Sequence, residues 1–195
     1  MPVSSTDCPH KIVADRVLIV HSSTDGHTVD ICRRIASVLE REGHTVSLAS
    51  LNDTAPADPT AFDKVVLGAS IRYGRHQQQV YDYIARHQTM LAARPGACFS
   101  VNVVARKPDR NRPDTNPYMR KFLRQIDWEP DALAVFAGKI DYRKYRFFDR
   151  QMIRLIMLIT RGPTAPGSVT DFTDWEQVDA FGRMICTMHK ATKGG

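Results

Sequence analysis

His21-Ser22-Ser23-Thr24-Asp25-Gly26-His27-Thr28 decides the fold because of what stands on either side of it. Before it, Val17-Leu18-Ile19-Val20 is an unbroken apolar run; after it, a helical pattern opens near Val29. Such a run suits a strand buried on both faces, so the stretch reads as a strand-to-helix loop. The unpaired N–H groups of the helix start point outward there, and the helix dipole favours an anion. Ser22, Ser23, Thr24 and Thr28 add hydroxyl donors, and Gly26 allows close backbone approach. Asp25 reads as a loop-shaping residue bonded to nearby backbone, since its charge would repel phosphate. Neither G-x-x-x-x-G-K-[ST] nor G-x-G-x-x-G is present, which excludes a nucleoside-triphosphate loop and a dinucleotide fingerprint. Hydroxyls and amides without a lysine suit a mononucleotide monoester such as FMN. An ordinary polar turn has the same composition, and two further loops weigh on the choice.

Outward from this loop, the pattern predicts a strand over 16–20 and a helix over 28–42, with Ile31, Ile35, Val38 and Leu39 on one face. Further strands are expected at 45–51, 64–68, 97–103 and 133–137. A second helix should touch the core through Tyr81, Ile84, Met90 and Leu91, and an apolar helix is expected over 147–160. Thr173-Asp174-Trp175-Glu176 reads as a capping box opening a last helix with Val178, Phe181, Ile185 and Met188 on one side. Strands alternating with helices predict an α/β, doubly wound five-stranded parallel sheet in the flavodoxin-like order 2-1-3-4-5, with a long insertion after strand 4. In that order ligands sit beyond the carboxyl ends of the strands at the switch point. The loops after strands 1, 3 and 4 then converge. The second, Ala69-Ser70-Ile71-Arg72-Tyr73-Gly74, offers Tyr73 either to a flavin face or as a plain surface aromatic. The third, Ser100-Val101-Asn102-Val103-Val104-Ala105-Arg106, offers Asn102 and backbone groups to a ring edge.

A chain of 195 residues, 43% hydrophobic and 25% charged, suits one domain over 16–190, preceded by a disordered extension over 1–15. A net charge of +6 and a pI near 9.3 suggest an anionic partner. No nucleic-acid motif accompanies that charge, so nucleic acid is not expected. Cys8, Cys32, Cys98 and Cys186 form no C-x-x-C pair and read as free thiols, and the histidines lack zinc spacing, so no metal is expected. No apolar run approaches a bilayer span; membrane contact would be peripheral. The insertion, 107–130, carries Lys107, Arg110, Arg112, Arg120, Lys121 and Arg124 among Tyr118, Phe122, Leu123 and Trp128. It reads either as a substrate-binding element or as a solvated basic loop. The 147–160 segment, flanked by Arg146, Arg150, Arg154 and Arg161, reads as an interfacial helix on anionic lipid or as a core helix with a basic outer face.

These residues also carry a resemblance. Val20 to Ile35 is similar to the flavodoxin FMN signature, with Ser23, Gly26 and Thr28 at its key positions and departures at His21 and Cys32. Gly68-Ala69-Ser70-Ile71-Arg72-Tyr73-Gly74, Ser100 through Pro108, Tyr145 through Ile153 and Thr173 through Val178 resemble the quinone-dependent protoporphyrinogen oxidases. The similarity runs from about Arg16 to Ile185. It implies an FMN enzyme of haem biosynthesis that oxidises protoporphyrinogen IX to protoporphyrin IX and passes the electrons to a membrane quinone. Such an enzyme would lie on an anionic membrane surface: the cytoplasmic face of the inner membrane in a bacterium, or the mitochondrial inner membrane in a eukaryote. The flavin site is then expected at Ser22, Ser23, Thr24, Asp25, Gly26, His27, Thr28, Ser70, Ile71, Arg72, Tyr73, Gly74, Ser100, Val101, Asn102, Val103, Ala105 and Arg106. Arg120, Lys121 and Arg124 are the candidates for the substrate carboxylates, with Arg120 and Arg124 on one helix face. No side chain stands out as a catalytic acid or base, and neither His27 nor His76 is given that role. A flavodoxin-type electron carrier and an NAD(P)H-quinone reductase remain as alternatives, and a homo-oligomer stays open.

Overall fold

Leu18, Ile19, Leu67 and Phe99 have no accessible surface, and they lie on three adjacent strands, which sets the layering of the whole chain. The computed structural model describes residues 14–53, 57–141 and 169–189. Its first elements are β1 (Arg16–Ser22), α1 (His27–Arg41), β2 (Thr45–Ser50), β3 (Lys64–Ser70), α2 (Gln78–Arg86) and α3 (Gln88–Ala93). They are followed by β4 (Gly96–Val101), α4 (Pro117–Leu123), β5 (Ala132–Phe136), β6 (Lys139–Asp141), β7 (Val169–Asp171) and α5 (Trp175–Thr187).

Five strands form one sheet in the order β2-β1-β3-β4-β5, every pair parallel, as the alternating pattern requires. Side chains alternate between the two faces of a strand. Accordingly Val17 and Ile19 join Ile31, Ile35, Leu39, Phe99, Phe136, Phe181 and Ile185 under α1 and α5. Leu18 and Val20 join Val80, Tyr83, Ile84, Leu91, Met119, Phe122 and Trp128 on the other side.

Several expectations shift. The strand expected at 64–68 extends to Ser70, and β1 extends to Ser22, so both feed straight into the loops at the sheet edge. The expected second helix is two, because His87 leaves the helical region (φ −111°, ψ 18°). Its core contacts are Val80, Tyr83, Ile84 and Leu91, whereas Tyr81 and Met90 are only half-buried. β4 stops at Val101, where Asn102 hands the chain to a 3-10 turn over Val103–Arg106. The last helix is capped one residue later than the motif suggests: Asp174 accepts from the Gln177 amide at 3.0 Å, and the Thr173 hydroxyl donates to the Ala137 carbonyl at 2.9 Å. The short antiparallel pair β6–β7 has no counterpart in the sequence reading. The helix expected over 147–160, with its basic flanks, lies outside the described residues.

The insertion is folded rather than a loose basic loop. Met119, Phe122 and Trp128 are at most 2% exposed, and a methyl group at Gly96 would meet the Trp128 ring at 2.6 Å. Residues 1–13 of the expected extension lie outside the described residues, but Asp15 already belongs to the domain. Its amide donates to His44 Nδ1 at 3.1 Å, and its carboxylate holds Lys64 Nζ at 2.9 Å. Cys32, Cys98 and Cys186 are free and buried. Burial raises all three thiol pKa values, that of Cys98 to about 12.

Lys64 is buried at the amino end of β3. Its ammonium donates to the carbonyls of Ile185 (3.0 Å) and Cys186 (2.7 Å), closing the carboxyl end of α5. Lys64→Met should therefore lower the unfolding free energy by about 2–4 kcal/mol, since it strands two carbonyls and Asp15. Urea titration measures the loss. Ligand binding at the opposite sheet edge should be unchanged.

Candidate functional site

The carboxyl ends of β1, β3 and β4 enclose a cleft of about 420 Å3, within the size range of small-molecule sites. On one side lie Ser23, Thr24, Asp25, His27 and Thr28. Gly26 sits at the N-cap of α1 in the left-handed region (φ 88°) and supplies no capping side chain. The Val29 and Asp30 amides return to the Gly26 carbonyl (3.0 and 3.3 Å), and the helix start ahead of them favours an outside anion. Ser23 Oγ accepts from the Gly26 amide at 3.1 Å, which leaves the Ser23 hydroxyl proton to donate elsewhere.

The second wall is Ser70, Ile71, Arg72, Tyr73 and Gly74. Arg72 and Arg75 exchange backbone bonds of 3.0 and 3.2 Å, while Tyr73 (φ 50°) and Gly74 (φ 77°) are both left-handed. That is the geometry of a type I′ turn. It holds Tyr73 63% exposed at the lip of the cleft, with the Arg72 guanidinium 5.3 Å from the ring centre. A left-handed tyrosine costs about 1–2 kcal/mol, and such strain clusters at functional sites.

The third wall is Val101, Asn102, Val103 and Val104, joined by Tyr118, Gly138 and Lys139. Asn102 is held by a buried polar network. Its Nδ2 donates to Ser100 Oγ (3.3 Å) and its Oδ1 accepts from Asn116 Nδ2 (3.1 Å). His76 Nε2 lies 3.0 Å from Ser100 Oγ, with the ring 4.5 Å from Phe122. Asn116, wholly buried, also caps α4 through the amides of Tyr118 and Met119. The network thus fastens the insertion to the cleft wall and sets Tyr118 beside Gly74, 3.8 Å from where a Cβ would stand.

Most of the expected flavin residues line this cleft, but five do not. Ser22 is fully buried and spends its hydroxyl on Gln77. Gly26 shapes the backbone. Ser100 is a buried link to His76, and Ala105 is core. Arg106 donates to the Val103 carbonyl (3.2 Å) and lies over the Phe172 ring. His27 lines the cleft, yet its Nε2 lies 2.6 Å from Thr173 Oγ1, so its ring is committed to the β7–α5 connection. Arg120 and Lys121 on α4 and Arg124 at its C-cap are exposed and are not among the lining residues. Val104, Tyr118, Gly138 and Lys139 also line it; Val104 belongs to the third loop and Tyr118 to the insertion, but none of the four is among the expected flavin residues. Extending the sheet-edge rule to the loop after strand 5 would have found Gly138 and Lys139. Among the described residues no cluster of side chains could hold a metal ion.

A flavodoxin-type nucleotide cleft is what this fold and site define. Residues 18–166 match the flavodoxin domain family. The chain is 42% identical over 170 residues to a protoporphyrinogen IX dehydrogenase (quinone) of Escherichia coli strain K12, covering 87% of this chain and 94% of that one. It is 42% identical over 170 residues to the protein of that name from Leishmania major, covering 85% and 72%. In fold it is similar to oxidised flavodoxin 1 from Bacillus cereus (13% identity, TM-score 0.51, 87% of this chain and 96% of that one). The chain belongs to the flavodoxin-domain family, in its branch of quinone-dependent protoporphyrinogen IX dehydrogenases. It is an oxidoreductase with FMN as cofactor. The residues present fit that group: a lysine-free hydroxyl loop at an uncapped helix start, and an exposed aromatic opposite Asn102.

Burial depresses the His76 pKa from 6.5 to about 4. The unfolded chain therefore binds the extra proton first, and the stability linked to this group, full above pH 6.5, is lost as pH falls towards 4. Between pH 7 and 5 the protein should lose about 2 kcal/mol through His76. Urea titrations at both pH values should show a correspondingly smaller loss in His76→Gln.

Proposed function

We propose that the chain oxidises protoporphyrinogen IX to protoporphyrin IX and delivers the electrons to a membrane quinone, with FMN in the cleft. The reading is supported by the names of the relatives. One observation in the structure carries it: two cations, Arg72 and Lys139, line a cleft whose other lining groups include Ile71, Tyr73, Val101, Val103, Val104 and Tyr118. Apolar walls with cations at the rim suit a large macrocycle bearing two propionates.

When bound, FMN takes electrons from the donor and returns them to the acceptor. The chain's part is to bind and to orient. Residues 23–28 would hold the phosphate, through the hydroxyls of Ser23, Thr24 and Thr28 and the start of α1. Tyr73 would supply an aromatic face to the ring system, and Asn102, with the backbone beside it, would offer hydrogen bonds to its polar groups. Arg72 can grip a carboxylate with two parallel bonds, whereas Lys139 acts as a point charge. Ile71, Val101, Val103 and Val104 keep water from the reacting face.

Arg120, Lys121 and Arg124, exposed and outside the cleft lining, form a basic outer surface that faces anionic lipid. Among the described residues no helix is long and apolar enough to cross a membrane. We take attachment to be peripheral: on the cytoplasmic face of the inner membrane in a bacterium, or at the mitochondrial inner membrane in a eukaryote.

FMN-loaded protein given protoporphyrinogen and a quinone without oxygen should form porphyrin, read by its fluorescence, well above the spontaneous rate. Formation at the spontaneous rate by folded, loaded protein would overturn the reading. Lys139→Glu should raise KM for the porphyrinogen about tenfold while kcat stays within about twofold, the mark of lost uniform binding.

A further inference from the structure

Gln77 stands at the N-cap of α2 yet makes no capping bond to its own helix. Its side chain is turned to the loop after β1. Oε1 accepts from Ser22 Oγ at 2.9 Å, and Nε2 donates to Thr24 Oγ1 at 2.8 Å. A glutamine therefore bridges two hydroxyls of the loop from another element, 55 and 53 residues away in the chain.

Proton bookkeeping makes the bridge directional. A hydroxyl has one proton to give and two lone pairs to receive. Ser22 is wholly buried, so its proton needs an acceptor close by, and Gln77 Oε1 supplies one. That fixes the amide with Nε2 towards Thr24. Thr24 Oγ1 is then an acceptor to Gln77, and its own proton is unspent. Thr24 lines the cleft just before the start of α1, where an anion is favoured. With the amide reversed, Nε2 would face Ser22 and strand the serine proton, and Oε1 would consume the threonine proton.

We propose that Gln77 is a positioning residue for the cofactor phosphate: it occupies the acceptor side of the Thr24 hydroxyl and so aims that proton into the cleft. Ser22, which does not line the cleft, acts by fixing the orientation of the amide. The inference rests on the reading that residues 23–28 hold the FMN phosphate. It adds a requirement that the loop does not contain, because the third member sits beyond the Tyr73 turn.

The test compares FMN with riboflavin, which lacks the phosphate, by flavin fluorescence quenching on full-length protein stripped of cofactor. Thr24→Val should weaken FMN about tenfold or more, the worth of one charge-assisted bond, and leave riboflavin within about twofold. Gln77→Glu should do the same, because a carboxylate has no proton to give Thr24 and draws the threonine proton to itself. Gln77→Met removes the bridge without adding charge. It should lower the FMN-to-riboflavin preference, and combined with Thr24→Val it should weaken FMN no further than Thr24→Val alone, within about twofold. Apo melting temperatures identify any variant that fails to fold, and the methionine variant then stands in for the glutamate one. Equal loss of both ligands in the Gln77 variants, or fully additive losses with Thr24→Val, would overturn the role of Gln77. A Thr24→Val protein with unchanged preference for FMN would instead overturn the placing of the phosphate.

Discussion

Burial of β1, β3 and β4 on both faces is the constraint from which the rest follows. Each buried aliphatic side chain is worth roughly 1.5–3 kcal/mol, and Val17, Leu18, Ile19, Val20, Val65, Val66 and Leu67 are at most 1% exposed. A parallel sheet covered on both sides needs crossover connections, so every strand-to-helix loop leaves by the same edge. That edge can then be polar and strained without disturbing the core. The left-handed Tyr73 costs little against the strands that hold it.

The buried polar network is the second organising element. Asn116 uses its oxygen for the α4 amides and its nitrogen for Arg110 and Asn102, so its whole amide is occupied. Buried amides left unpaired are costly, and this one is satisfied only when the insertion sits against the cleft wall. His76 and Ser100 complete the connection from the Tyr73 turn to β4. The insertion is thus a built part of the site, and its Tyr118 reaches the cleft because Asn116 and Pro117 start a helix just before it.

Strand order, helix faces and the three converging loops were legible in the sequence because periodicity and the crossover rule act locally from β1 to β5. Arg120, Lys121 and Arg124 stand outside the cleft lining, and charge alone does not say which face of a short helix is packed. Met119 and Phe122 take the inner face and leave the cations outside. Ser22 and Ser100 looked like ligands because a hydroxyl near a loop gives no sign of where its proton goes. Lys139 reads from the sequence only as one more basic residue near the apolar 147–160 segment; its place at the cleft comes with β6, which pairs with a strand thirty residues on, a contact no local pattern encodes. Gln77 belongs to the same class: its importance lies in two bonds across the fold.

The buried thiols have a consequence for electron traffic. Cys32, Cys98 and Cys186 are shut in the interior and held as neutral sulfhydryls, and a neutral sulfhydryl is a poor reductant and a poor nucleophile. None of them lines the cleft. A flavoprotein whose chemistry generates a light-absorbing macrocycle is exposed to oxidising by-products. Here those three sulfur atoms offer such species no easy entry, and none of the three gives electrons at the cofactor a detour on their way to the acceptor.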